Sequence, residues 1–342
     1  MIRLAVKKIG SQTVRLENPP SILSYYSIVG PKEGQGPLKD YFDLILEDDL
    51  WGQESWEKAE SKIQEECIKS AINQGGLSSQ DIDYLIAGDL LNQIIATAYS
   101  ARQLAIPYFG LYGACSTMTE SLSLGAMLID GGFADKVACA VSSHFSTAER
   151  QFRFPLEYGN QRKMSAQWTV TGAGSTILSS IGDGPYIKYI TTGKIIDPGI
   201  TDVANMGGAM APAAIDTLIH HFQDTGVDPS YYDLIISGDL GYVGKSIVID
   251  MMKEKGYDLS KNFTDSGVEI FDKSEQDTHA GGSGCACSAT VYNGYVFKEM
   301  AKGKLNRVLL MSTGALHSTL STQQGESIPG IAHAVAVENT KE

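Results

Sequence analysis

Tyr-Gly-Ala-Cys-Ser-Thr-Met-Thr-Glu (112–120) returns in the second half of the chain as Gly-Cys-Ala-Cys-Ser-Ala-Thr (284–290), with Cys287 placed on Cys115. A cysteine at the tip of a strand-to-helix turn, present twice, points to one duplicated architecture. Around it the repeat extends upstream. Ile-Asp-Tyr-Leu-Ile-Ala-Gly-Asp-Leu (82–90) matches Tyr-Asp-Leu-Ile-Ile-Ser-Gly-Asp-Leu (232–240), and Gly76 matches Gly226 at the same offset. Each glycine closes a helical pattern, over about 56–74 and 210–224, as a left-handed C-terminal residue does. Downstream the offset widens, so the second half carries an insertion over about 255–278, read as polar and loop-like. Residues 31–52 fall outside the repeat and read as a surface insertion.

Short apolar runs at 83–88, 137–142, 234–238 and 307–312 have the pattern of strands covered on both faces. Their alternation with helices predicts a layered α/β fold of two halves, 1–184 and 185–342, divided at the turn cluster Gly-Asp-Gly-Pro (182–185). Val170 to Leu178 reads as two strands around a turn.

Bulk properties narrow the function. The 342 residues are 43% apolar and 20% charged, with a net charge of −13. No basic run exceeds two residues, which argues against nucleic acid and against electrostatic attachment to an anionic membrane. Five cysteines (67, 115, 139, 285 and 287) without zinc spacing suit free thiols rather than disulfides or a metal cluster. The N-terminus reads as no signal peptide. The uncharged run Met164–Gly182 is too rich in Gly, Ser and Thr for a membrane helix. The Gly-Ala-Gly at 172–174 lacks the spacing of a dinucleotide fingerprint.

Thr117 to Glu120 is a candidate capping box that starts a helix just after Cys115. A helix start lowers a thiol pKa and also attracts carboxylates. Cys115 therefore reads as a nucleophile, as the floor of an anion pocket, or as a small buried residue in a tight turn. His279, in a glycine-rich turn leading to the second cysteine turn, reads as an acid, base or donor, or as an exposed loop residue. His144 and His317 follow strands and read as structural, His220 and His221 as a surface pair, and His333 as core. The stretch 149–163 interleaves Arg150, Arg153 and Arg162 with Phe152 and Tyr158. It reads as a clamp for a planar anion or as a solvated loop.

These motifs resemble the thiolase superfamily over nearly the whole chain. Gly113-Ala-Cys-Ser with its helix resembles the nucleophile region of thiolases and ketoacyl synthases. The Thr171 to Thr176 run resembles the strands closing their first half, and residues 328–338 their final strand. His279-Ala-Gly-Gly-Ser-Gly-Cys-Ala resembles the run carrying the family's activating histidine. The resemblance implies an α-β-α-β-α layering of two pseudo-repeated halves and a homodimer. It also implies an acyl-transfer or condensing enzyme of ketoacyl synthase III type, using Cys115 and His279. The departures weigh against that activity. Gly238-Asp239 stands where ketoacyl synthases have a histidine, Ser283 where they have an asparagine, and no second cysteine precedes the final strand.

The runs 113–122, 141–155 and 278–289 further resemble thiolase-like sporulation proteins of spore-forming Gram-positive bacteria. That resemblance implies a non-enzymatic protein that binds dipicolinic acid (pyridine-2,6-dicarboxylate), free or as its calcium chelate. It implies peripheral attachment at the spore inner membrane through companion proteins, and neither a cofactor nor a protein-bound metal. The expected ligand site comprises Cys115, Ser116, Asp239, His279, Gly282 and Ser283, with Arg150, Arg153 or Arg162 on a carboxylate and Phe152 or Tyr158 on the ring.

Overall fold

The computed structural model describes residues 5–152 and 162–341. Arg153 and Tyr158, two of the expected ligand residues, lie outside these.

Two five-stranded arrays follow one plan. In the first, Tyr84–Gly88 lies parallel to Tyr108–Gly110 on one side and Lys136–Ser143 on the other. Gly172–Ser179 then runs antiparallel, followed by Ser21–Val29. In the second, Leu234–Ser237 lies parallel to Phe263–Asp265 and to Arg307–Ala315. Gly330–Glu338 and Tyr186–Thr191 complete it, each antiparallel to its neighbour. The arrays meet where Ser21 pairs with Tyr186.

The apolar runs became strands because both faces are covered. In Lys136–Ser143 every residue after the first is buried. Helix Thr117–Asp130 packs against strands of both arrays and, with the helical stretch that begins at Cys285, forms the layer between them. Met118 and Leu122 are fully buried there. On the outer faces lie Trp56–Gln74 and Met206–Thr225. The first starts at Ser55, whose side chain accepts the Lys58 N–H, and the second at Asn205, which accepts from Gly208. Gly76 and Gly226 follow at φ 69° and 73°, where a Cβ would be strained. The layering is thus α-β-α-β-α, as the resemblance implied.

Four local readings are corrected. Gly172–Ser179 is one continuous strand, and only Trp168–Thr169 precedes it as a separate short strand. The 31–52 segment is more than a surface insertion: Glu33, Leu38, Phe42 and Leu46 are buried, and Leu44–Ile45 pairs with the end of Ser21–Val29. The 255–278 segment supplies the edge strand Phe263–Asp265 of the second array, the counterpart of Tyr108–Gly110. His221 is buried, joined to Thr191 Oγ1 at 2.8 Å and Tyr232 OH at 2.6 Å. Burial holds its imidazole down at about 3.

Burial of acids makes stability depend on pH. Asp265 is pushed up to about 7 and Glu33 to about 8, in each case chiefly by desolvation. Their folded pKa values lie above the unfolded ones, so the folded state holds more protons and stability falls as pH rises through them. His221 and His333, depressed to about 3 and about 4 by burial, act only below the ordinary histidine pKa and drop out above neutrality. Between pH 7 and 8.5 in metal-free buffer, stability should fall by about 1–2 kcal/mol. A calorimetric melting temperature that stays flat or rises over that range would contradict this.

Candidate functional site

The turn before Thr117–Asp130 is tight. Ala114 sits at φ 51°, a left-handed conformation costing a Cβ residue about 1 kcal/mol. Ala114–Ser116 forms a 3-10 turn, closed by Ser116 N–H and Ser116 Oγ–H donating to Gly113 O and by Thr117 Oγ1–H donating to Ala114 O. The capping box expected from Thr117 and Glu120 does not form, and the helix has no side-chain cap. Glu120 is turned inward beneath Gly113, and burial raises its pKa. The Ser116 hydroxyl serves its own turn.

A reciprocal turn faces it. Gly284 has φ 98° and starts the helix at Cys285. Cys285 Sγ–H donates to Ala114 O at 3.0 Å. The thiol of Cys287, the residue aligned with Cys115 in the repeat, bonds Gly238 O beneath the site.

Beneath Cys115 lies Asp239, 1% exposed. Its Oδ1 accepts from Thr313 Oγ1 at 2.8 Å, and its Oδ2 accepts from Ser283 Oγ at 3.1 Å and Gly284 N at 3.2 Å. The carboxyl lies near enough to the Cys115 thiol for its charge to act on it. Gln167 Nε2 bonds Asp239 O and Gly282 O, which places Gly282 in the supporting layer. Burial first, and then the Asp239 charge, pushes the Cys115 thiol well above its ordinary pKa. The thiolate expected of a helix start is thus overridden by desolvation and an adjacent acid.

A cavity of about 430 Å3 opens over this thiol. Its wall includes Cys115, Ser283, Tyr112, Phe152, Glu149 and His317. Phe152 and His317 rings lie 5.3 Å apart. Three expected residues thus meet at the cavity: Cys115 and Ser283 on the floor and Phe152 on the wall, with Asp239 directly below.

The others lie elsewhere. His279 is not on the cavity wall: Nδ1 bonds Lys163 O at 2.8 Å and Nε2 lies 2.9 Å from Asp277 Oδ1. Arg150 pairs with Glu57 and covers the Trp56 ring. Arg162 pairs with Asp277 and lies over Trp168.

His317, Tyr112 and Glu149 were not foreseen as cavity residues. A usable signal existed, since ligand crevices in α/β sheets form beyond the carboxyl ends of the strands. Tyr112 follows Tyr108–Gly110, Glu149 follows Lys136–Ser143 and His317 follows Arg307–Ala315. Among the described residues no group of three or more His, Cys, Asp or Glu side chains is arranged to hold a metal, and no helix is long and apolar enough to cross a membrane.

Comparison with known proteins bears on this geometry. The family model described as Stage V sporulation protein AD (SpoVAD) matches residues 10–338. The chain is 46% identical over 333 residues to Stage V sporulation protein AD of Bacillus subtilis (strain 168), covering 97% of this chain and 98% of that one. Among solved structures it resembles 3-oxoacyl-[acyl-carrier-protein] synthase III of Aquifex aeolicus VF5, with TM-score 0.59, 14% identity and coverage of 93% and 99%. A variant of Xanthomonas campestris OleA gives TM-score 0.61, 15% identity and coverage of 95% and 99%. Those two likenesses concern the fold.

Proposed function

The chain belongs to the stage V sporulation protein AD family, and on that premise we propose that its thiolase-like cavity binds dipicolinic acid, free or as its calcium chelate, without turning it over. The observation that carries this is the burial of Cys115 beside the buried Asp239 carboxyl. A condensing nucleophile needs a base to take its proton and a donor to stabilise it as an anion. Here the thiol is desolvated and lies near an acidic charge, so its ionised form is disfavoured. The cavity is retained while its activation chemistry is not.

The wall offers a flat ring the aromatic faces of Tyr112 and Phe152, with the His317 ring beside Phe152. In this reading the protein assists movement of dipicolinate into the developing spore and its release in germination. It works as a homodimer held at the spore inner membrane by other SpoVA proteins.

Calorimetric titration with dipicolinate, with and without calcium, tests the reading. Saturable binding is expected, weakened at least tenfold in His317→Ala, with no mass gained by Cys115 after incubation with acyl-CoAs. No heat at millimolar dipicolinate would remove the ligand. A stable acyl adduct on Cys115 would establish the condensing reading instead.

A further inference from the structure

Glu33 begins the 31–52 segment and is 1% exposed. Its Oε1 accepts the Thr171 N–H at 3.0 Å, whereas Oε2 is buried and has no hydrogen-bond partner among the described residues. A buried carboxylate oxygen left unpaired is costly, so something normally answers it. Opposite it stands Asp49, from the far end of the same segment. A methyl group on Gly30 would sit 2.8 Å from Glu33 Oε2 and 3.0 Å from Asp49 Oδ1. The two oxygens therefore face one small space that glycine alone leaves open.

We propose that Glu33 and Asp49 hold a hard divalent cation in this space, calcium being the ion that an all-oxygen donor set suits best. Two carboxylates, one buried and one exposed, supply the charge. Water and main-chain carbonyls complete the shell, since the exposed side at Asp49 is open to solvent. Lys32, next in sequence, lies over the Trp168 ring at 4.1 Å with its charge still felt at Glu33, and Lys62 lies over Trp51. The third nearby acid, Asp48, is engaged by the Leu50 and Trp51 N–H groups. The His144 ring, the remaining titratable neighbour, bonds Asp49 O through Nε2 at 2.8 Å.

The site would pin the segment to the mouths of two strands. Glu33 already grips Thr171 just before Gly172–Ser179, and Asp49 grips His144 just after Lys136–Ser143. This inference does not rest on the dipicolinate reading, and its test contains no dicarboxylate.

The experiment is a thermal melt of the full chain at pH 8, titrated with calcium chloride and separately with magnesium chloride after EDTA treatment. A saturable rise in melting temperature of about 3 °C or more is expected with calcium. It should be lost in Glu33→Gln, which keeps the acceptor for Thr171, and in the surface variant Asp49→Asn. It should persist in Asp40→Asn, an exposed acid of the same segment. Terbium luminescence sensitised by Trp51 should follow the same pattern. If no rise occurs, Glu33 is answered by a proton rather than a cation and the proposal fails. If the rise survives both Glu33→Gln and Asp49→Asn, calcium binds as an adventitious ion only, and the proposal fails equally.

Discussion

Exchanging Asp239 for asparagine releases Cys115: its alkylation by iodoacetamide at pH 8 should accelerate at least tenfold over the unmodified protein. The thiolate is the reacting species, and its population is suppressed by burial and by the neighbouring carboxyl. Two unit charges about 4 Å apart interact by about 4 kcal/mol at the effective dielectric of a protein site. Even a third of that is a factor of about ten in thiolate. Asparagine keeps the shape and can still accept from Thr313 through its oxygen. The amide cannot accept from Gly284 N–H where Oδ2 does now, so the second cysteine turn loses one bond. Peptide mapping separates the effect from general loosening, because Cys67, Cys139 and Cys287 are buried and should stay unlabelled in both proteins. Equal rates at Cys115 in two folded proteins would show that Asp239 does not restrain the thiol. The non-catalytic reading would then lose its main support.

The strands and outer helices were legible in the sequence because their signal is local. An unbroken apolar run such as Val137–Val141 is buried on both faces whatever it meets. A helix such as Trp56–Gln74 announces itself by a capping serine and by Ala59, Ile63, Cys67 and Ala71 recurring on one face. The site was half legible. Cys115, Asp239 and Ser283 were found because motif and repeat mark them. What those residues do depends on contacts between segments far apart in the chain, and no local pattern carries these. The helix start argued for an activated thiol, and burial together with the Asp239 charge from the other half reverses that. His279 sits in a motif that implies an activating histidine, yet its φ of 53° and its bonds to Lys163 and Asp277 engage its ring away from the cavity. Arg150 and Arg162 looked like a clamp because they are adjacent in sequence to aromatics. Each has an acidic partner from a distant segment. His317 was passed over for the converse reason, since nothing in its neighbours marks the wall it completes.

Asp265→Ala should be the most damaging substitution in the second half, costing about 3–5 kcal/mol. The residue is fully buried and accepts four hydrogen bonds. Oδ2 takes Ser237 Oγ at 2.7 Å and Leu240 N at 2.8 Å, and Oδ1 takes Gly241 N at 2.8 Å and Gly267 N at 3.0 Å. These tie the edge strand Phe263–Asp265 to the end of Leu234–Ser237 and to the start of helix Gly241–Glu254. Alanine strands several buried donors at once, and each costs about 1–3 kcal/mol without full additivity. The opposing effect is that the folded state must hold a proton on Asp265, pushed up to about 7, so alanine relieves a cost that builds as pH rises from the ordinary carboxylate range to about 7. The stranded donors outweigh it most clearly near pH 5, where that relief is still partial. Asparagine divides the two effects: it removes the charge, keeps one acceptor, and turns an amide toward either Leu240 N or Gly241 N. Its cost should be intermediate, and in both variants the decline in stability between pH 7 and 8.5 should be shallower. Asp239 lies between Ser237 and Leu240, so the floor beneath Cys115 moves with this anchor. Any dipicolinate binding should weaken in step with the melting temperature, most in alanine. An Asp265→Ala protein that melts at or above the unmodified temperature at pH 5 would show that these four bonds do not hold the second half in place.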